Sequence, residues 1–570
     1  MQQADEDAAR EIARVNGISF ALARLLAGRG VKPDDVHDVL NPTLKRLMPD
    51  PLVLLNMDKA VARVKAAIEN GEQIAIFGDY DVDGSCSSAL LHDFLVALGV
   101  KPRIYIPDRM TEGYGPSANA MHILKAEGAS LVVTVDCGAT AKDALSAARD
   151  AGLDVIVLDH HAVEEAPPAF AQVNPNQAGD ASGLSYLCAA GVTFMFVVAL
   201  NRALRDAGFY TERNIPEPDL RDLLDLVGLA TICDVVPLIG VNRAFVRSGL
   251  ALFGAKRVGL SALAAVAKVA GPFTPYHMGY VFGPRINAGG RVGRCALGAD
   301  LLTTRDGIEA EEFALALDNH NRERQAIEKL ILEEAIAMAH TQDNAPFLFA
   351  AKEGWHAGVV GIVAGRLKDR FGKPSFVAGF EGGVARGSAR SVPGADIGAI
   401  VRAAKDAGLI ASGGGHAMAA GFSLAADQEG PFHAFLAQRF AEGGEALAGA
   451  LNLHIDTLVS PSGATEAMVR EIAQAGPYGA GNPEPLVVLA DTRVVFADIV
   501  GKDHIRLRLA GGDGARLDAI AFRAADTDLG RGLMASRGKA IHAAGRLKID
   551  EWQGRIRVQL QVEDAAPAMV

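Results

Sequence analysis

The sequence predicts an α/β protein with a parallel sheet, then a long connecting helix, a second, smaller α/β domain and a C-terminal β-barrel. Three observations predict it. From about Gln73 to Pro175, short apolar runs alternate with helical patterns (IAIF, SSALLHDFLVAL, RIYIP, NAMHILKAEG, LVVTV, AKDALSAARDAG, DVIVL), the rhythm of a parallel sheet with crossover helices. The stretch 306–340 has no Gly or Pro after Gly307 and reads as one helix, either joining two domains or packed like any other. After about residue 450 the runs VVFADIV, IRLRL, DAIAF, KAIHAAGRLKI and RIRVQLQV, separated by turns, read as a small barrel, of OB type.

At 570 residues the chain exceeds what one core serves, and length alone suggests roughly three to four domains. Hydrophobic residues make up 49% and charged residues 22%, the balance of a globular protein rather than a disordered or fibrous one. The acidic start MQQADEDAAREIARV lacks the basic and apolar parts of a signal peptide. The apolar run Leu187–Leu200 is shorter than the about 20 residues of a membrane span and reads as a buried helix. A soluble, cytoplasmic protein with no membrane partner is expected. Five cysteines, widely spaced and without a C-x-x-C pair, suggest reduced thiols rather than a zinc site or a disulfide framework. A net charge of −12 gives no overall basic character, but an acidic cluster neutralised by cations can coexist with a local arginine groove.

The chemistry-bearing residues each follow one of the expected strands. Asp79, Asp81 and Asp83 follow IAIF; Asp136 follows LVVTV; Asp159, His160 and His161 follow DVIVL. In an open parallel sheet the carboxyl ends of the strands share one edge, and ligands bind in the crevice outside it. Carboxylates crowded there repel one another unless cations sit between them. Oxygen-rich groups with one or two imidazoles suit Mn2+ or Mg2+ better than zinc. Asp234, which interrupts the apolar GLATICDVVPL, is either a further ligand or a helix-cap or loop residue.

The strings GDYDVDGS, VTVDCG, LDHH and TICDVVPL resemble, in that order, the four motifs of the DHH phosphoesterase superfamily. DYDVDG with IPDRMTEGYG is similar to RecJ-type exonucleases in particular, and the likeness continues through GPRINAGGR, GWHAGVVGIVAGRL, GSARS, GGGHAMAAGF and PYGAGNPEP. It implies an N-terminal segment at 1–55, a DHH catalytic domain at 56–300, a connecting helix at 301–342, a DHH-associated α/β domain at 343–445 and an OB-fold nucleic-acid-binding domain at 446–570. It also implies that Asp81, Asp83, Asp136, His160 and Asp234 hold two Mn2+ or Mg2+ ions, Asp136 bridging, with His161 beside the scissile phosphate as a charge stabiliser or proton-transfer group, or else orienting its neighbours. Related small-molecule phosphoesterases carry a histidine four residues before the first motif aspartate, where this chain has Phe77. Asp79 or water is expected to compensate; otherwise Asp79 is turn chemistry.

Capture of a 5′-terminal phosphate is implied for Arg109, Arg285, Asn287, Arg291, Ser388 and Arg390, with the Gly414 and Gly415 amides and His416 completing the pocket. Any single arginine could instead serve a surface ion pair, and the glycines a tight turn. Tyr114, between Gly113 and Gly115, is either a base-stacking group or a packed ring. Arg506, Arg508, Arg546, Lys548, Arg555 and Arg557 are read either as a DNA-binding barrel face or as a solvated one. The expected activity is hydrolysis of single-stranded DNA, 5′ to 3′, in repair and recombination, with a helicase and a single-strand-binding protein as candidate partners. Two alternatives stand beside it: a DHH phosphodiesterase for short oligonucleotides or cyclic dinucleotides, and a non-catalytic DNA-binding scaffold. The barrel and the chain length weigh against the first, the intact ligand set against the second.

Overall fold

The computed structural model describes residues 6–109, 111–163, 165–342, 345–442, 453–552 and 555–568. Strands β1 (Ile74–Gly78), β2 (Arg103–Tyr105), β3 (Leu131–Val135), β4 (Asp154–Leu158) and β5 (Ala171–Val173) form a sheet in the order β2-β1-β3-β4-β5. All its neighbours are parallel, as the alternating pattern predicts. β1 and β3 are buried at every position. Helices Val82–Ala97 and Ala189–Asp206 cover one face, and Ala118–Ala126 and Lys142–Asp150 cover the other. Strands enclosed on both sides carry side chains that are apolar in both directions, hence the unbroken runs IAIF and LVVTV. The order reverses between β1 and β3, which places the loops after these strands at the topological switch point.

The apolar run Leu187–Leu200 lies largely in the buried helix Ala189–Asp206. No helix among the described residues is long and apolar enough to cross a membrane. Helix Gly307–His340 is continuous over 34 residues, and Asp306 accepts from the Ile308 and Glu309 amides at its start. Its first half contributes Leu317 to the core of the first domain, while Ile331, Ala335 and Ala339 pack into the core of the second. The helix is therefore packed and connecting at once.

The second sheet comprises β6 (Leu348–Glu353), β7 (Ser375–Glu381), β8 (Val384–Arg390), β9 (Ser412–His416) and β10 (Ala419–Ala425), ordered β6-β7-β8-β10-β9. Only β6 and β7 run parallel. The third sheet holds β11 (Thr457–Leu458), β12 (Val487–Val500), β13 (His504–Ala510), β14 (Arg516–Ala521), β15 (Ala540–Trp552) and β16 (Arg555–Pro567). β15 pairs back onto β12, which closes the barrel expected from the sequence. The domain limits expected at 342/343 and 445/446 abut or fall within residues outside those described.

The first helices return to the far end of the chain. Ile12, Leu22, Leu25 and Leu26 form a small core with Ala475, and the Ser19 amide donates to Glu471 at 2.8 Å. Arg243, buried in helix Gly240–Leu252, donates through Nη2 to the carbonyls of Val39, Ala475 and Gly476 at 2.7, 2.9 and 2.8 Å. One guanidinium thus ties three segments together. Its loss takes the donor from the Val39 and Gly476 carbonyls, each costing about 1–3 kcal/mol, while Ala475 keeps the Asn482 side chain. Arg243→Ala is expected to destabilise the chain by about 3 kcal/mol. A denaturation midpoint equal to the parent's would contradict this role.

Candidate active site

The loop after β1 is compressed by glycine. A Cβ on Gly84 would lie 2.5 Å from the Asp79 carbonyl oxygen, so only glycine lets the helix start that close to the strand. Asp81 caps the helix, accepting from the Gly84 amide at 3.0 Å, and the Asn287 side chain accepts from the Val82 amide at 3.0 Å. Asp83, in the first turn of that helix, accepts from the Ala189 and Ala190 amides at 2.7 and 2.8 Å, which orients its carboxylate rigidly. Asp136 follows β3 in the left-handed region, φ 59°, a conformation that Asp tolerates better than most residues. Asp234 ends helix Leu224–Cys233, and Val235 after it is also left-handed at φ 60°. For a β-branched residue that conformation costs about 1–2 kcal/mol.

These loops converge. His160 Nε2 lies 3.5 Å from Asp136 Oδ1, 3.6 Å from Asp234 Oδ2 and 3.8 Å from Asp83 Oδ2. Ligand atoms of Asp83, His160 and Asp234 fall within 4.8 Å of one another, as do those of Asp79, Asp81 and Asp136. Asp136 borders both groups.

The electrostatics show what the cluster lacks. Burial, then the charge of Asp81, raises the carboxyl of Asp79 well above its usual range and that of Asp83 to about 7. Burial and Asp83 raise Asp136 well above that range, and the same two causes lift Asp234 to about 9. Buried oxygens of Asp79, Asp136 and Asp234 have no hydrogen-bond donor. Burial, then the charge of His161, lowers His160 to about 4, leaving a neutral ring suited to ligation. Orphaned oxygens, carboxyls reluctant to ionise and a neutral imidazole fit divalent cations bound by mixed oxygen and nitrogen donors.

Asp159 works differently. It is buried and accepts from the amides of Ala139, His160 and His161 and from His161 Nδ1 at 2.8 Å. Burial pushes its carboxyl up, but the His161 bond prevails and holds it below the usual range. Burial likewise opposes the charge on His161, yet the Asp159 bond raises it to about 9. His161 is therefore a cation at neutral pH, 4.0 Å from Asp136.

Three arginines without acidic partners among the described residues gather beside this cluster. Arg291 is depressed to about 10 by burial and then by the charges of Arg109, Arg324 and Arg390, while its Nη1 donates to the Gly358 carbonyl at 2.9 Å. Arg109 lies over the Tyr80 ring at 5.3 Å. Arg390 donates to Ser388 Oγ at 2.8 Å, and burial lowers its pKa. Ser388, Gly421 and Gly414 form one row across β8, β10 and β9, and nothing lies within 4 Å of a Cβ added to Gly414. His416 is exposed further along β9, opposite Ala419. Gly415 has φ 147° and no room for a side chain, since a Cβ would approach the Ala419 carbonyl to 2.3 Å.

One expected anion contact is committed elsewhere. Arg285 donates to Asp318 at 2.9 Å and to the Val281 carbonyl at 2.7 Å, which joins helix Gly283–Val292 to the long helix. Asn287 accepts from the Val82 amide through its side-chain oxygen, which turns its NH2 group away from that bond as a donor. The exposed Tyr114 ring meets His161 edge-on at 5.9 Å, and its hydroxyl donates to the Asp136 carbonyl at 3.0 Å.

Comparison with known proteins follows the same division. The family model described as the DHH family, N-terminal domain, matches residues 73–231, the DHHA1 domain 344–442 and the RecJ OB domain 455–564. The single-stranded-DNA-specific exonuclease RecJ of Escherichia coli (strain K12) is 34% identical over 96% of this chain and 96% of its own length. That of Bacillus subtilis (strain 168) is 33% identical over 99% of this chain and 70% of its own length. The chain belongs to the RecJ family. A RecJ from Thermus thermophilus, solved in complex with Mn2+, superposes with a TM-score of 0.79 at 29% identity, covering 99% of this chain and 78% of that one.

In this RecJ-family chain Phe77 is buried at the end of β1, stacked on Tyr105 at 5.3 Å. Asp79 stands beside Asp81 and Asp136 two residues later. Asn174 and Asn176, which sequence reasoning missed, donate to the carbonyls of His161 and His160 at 2.8 and 2.5 Å. They follow β5, so the rule applied to the other strands would have found them.

On the barrel, most of the basic residues named from the sequence sit in ion pairs. Arg508 pairs with Asp518 at 2.9 Å, Arg557 with Asp518 at 3.8 Å, Arg546 with Glu563 at 2.6 Å and Lys548 with Glu484 at 2.5 Å. Arg506 is exposed and has no acidic partner among the described residues; the side chain of Arg555 lies outside them. Adjacent strands carry complementary charges, which the sequence of each strand alone does not reveal.

Proposed function

We propose that this chain is a metal-dependent exodeoxyribonuclease that degrades single-stranded DNA from its 5′ end, in repair and recombination. The observation that carries the reading is Asp136, whose carboxylate borders both ligand groups at the sheet edge while cationic His161 and the arginine cluster lie alongside. Asp81, Asp83, Asp136, His160 and Asp234, with Asp79 in place of the missing histidine, would hold two Mn2+ or Mg2+ ions. When bound, such ions neutralise the phosphate and acidify water so that hydroxide is available at neutral pH.

The chain's own residues do the rest. Asp83 is held by two amides and His160 by its neighbours, so the cluster needs little reorganisation when substrate arrives. Protonated His161, fixed by Asp159, offers a proton and positive charge to the phosphate or its leaving oxygen. Arg109, Arg291, Ser388 and Arg390 are placed to receive a terminal phosphate, with the Gly414 surface and His416 further along the same sheet. Residues 56–300 would carry the chemistry, 301–342 connect, 343–445 hold the strand's end and 446–570 guide the strand, with 1–55 bracing the last segment against the first. The closed barrel favours a polymer over a dinucleotide substrate, and the crowded carboxylates have no use in a mere scaffold.

The test is digestion of 5′-labelled single-stranded and duplex DNA with Mn2+, Mg2+ or chelator. Mononucleotide release from single strands only, abolished by chelator, is the expected result. Digestion confined to dinucleotides would favour a small-substrate phosphodiesterase, and binding without cleavage a scaffold.

A further inference from the structure

Beside Asp234 the chain exposes aromatic surface that the core does not use. Tyr276 and Tyr280 are 63% and 73% exposed, and their rings stack on each other at 5.3 Å and 25°. They lie on and just before the π-helical segment His277–Phe282. Small residues on the same stretch hold it against the end of helix Leu224–Cys233: a Cβ on Gly279 would touch Ile232 at 3.3 Å, and one on Gly283 would meet Cys233 Sγ at 2.6 Å. Glycine there brings the tyrosines close to the catalytic loop and leaves their rings outward.

Both rings line a cleft of about 1340 Å³ that runs from Cys233 and Val235, on either side of Asp234, to Arg546 and Lys548 of the barrel. Its volume exceeds the ~300–1,000 Å³ of small-molecule sites, which points to a polymer. Its charged lining is Arg247, Arg546, Lys548 and Glu484, with Arg546 paired to Glu563 and Lys548 to Glu484. Arg247 donates to the Leu40 carbonyl and has no acidic partner among the described residues. Val235 is 69% exposed at the mouth.

We propose that this cleft is the track of the substrate strand between the metal cluster and the barrel, and that Tyr276 and Tyr280 are the platform on which its bases stack. Stacking on exposed rings is sequence-tolerant, as a nuclease that consumes any strand requires, and Arg247 is placed to meet a phosphate. The inference rests on the single-strand reading above and adds to it the site that grips the strand beyond the cleaved bond.

The experiment uses the full chain with Mn2+ and 5′-phosphorylated single strands, intact or with one abasic sugar placed at successive positions. In the parent, an abasic sugar at the position that reaches the tyrosines is expected to raise KM. Y276A/Y280A is expected to raise KM for the intact strand about tenfold, with a much smaller change in kcat, and to erase the dependence on abasic position. Y276F/Y280F is expected to restore both, because the ring stacks and the hydroxyl does not. Should the double variant fail to fold, Tyr280→Ala carries the same test. An unchanged KM, or an abasic profile identical in parent and alanine variant, overturns the proposal. A parent that does not degrade single strands overturns the functional reading instead.

Discussion

Asp136→Asn is expected to lower kcat by on the order of 10³-fold or more while raising the thermal midpoint of the chelated protein. Asparagine keeps the shape of the side chain and tolerates φ 59°, so loss of activity cannot be laid to backbone strain, as it could be in Asp136→Ala, which should also be inactive. Catalysis falls because the one carboxylate bordering both ligand groups is gone. Stability rises for the opposite reason. Burial and the charges of Asp83, Asp81, Asp79 and Asp234 hold the folded carboxyl of Asp136 far above its unfolded value. Between those two values the native state binds more protons than the unfolded one, so the parent loses stability as pH rises through the window. The advantage of the asparagine variant should therefore vanish towards about pH 4, where the carboxyl is protonated in both states, and grow as pH rises above it. Melting curves in chelator across this range, with turnover in Mn2+, check both halves. Activity near the parental level would remove Asp136 from its bridging role.

Arg390→Ala is expected to cost about tenfold to a hundredfold in affinity for a 5′-phosphorylated strand and little for one ending in a hydroxyl. Arg390 is partly desolvated, and it donates to Ser388 Oγ and a backbone carbonyl rather than to an acid, so its charge is available to an incoming anion. Losing one phosphate contact should also lower the slope of log affinity against log salt by about 1. Binding titrations at several salt concentrations with both kinds of end measure the two effects. An undiminished preference for the phosphorylated end would place the terminal-phosphate contact elsewhere.

The gathering of acids and histidines at one sheet edge was legible because chemistry in a parallel sheet collects there, and edge positions are marked by where apolar runs stop. Asp83, Asp136 and His160 could be named from that rule, and Asp159 could be located by it. The difference between Asp159 and the other carboxylates of the cluster could not. That depends on the amides of Ala139, His160 and His161 turning towards one carboxylate, and only folding arranges them. Arg285 and Arg390 look alike in sequence, each in a short glycine-containing string. One meets Asp318 across a helix pair; the other finds no acid among the described residues.

The sequence by itself determined the layers, the strand-end carboxylates, the long helix and the barrel, since each follows from local periodicity or a local stop signal. Only the tertiary structure decided which cations are neutralised on the barrel, which arginines stay clear of acids and that two exposed tyrosines stand beside Asp234. Charge pairing and exposure are set by residues far apart along the chain, and a side chain's electrostatic state belongs to its surroundings rather than to its own identity.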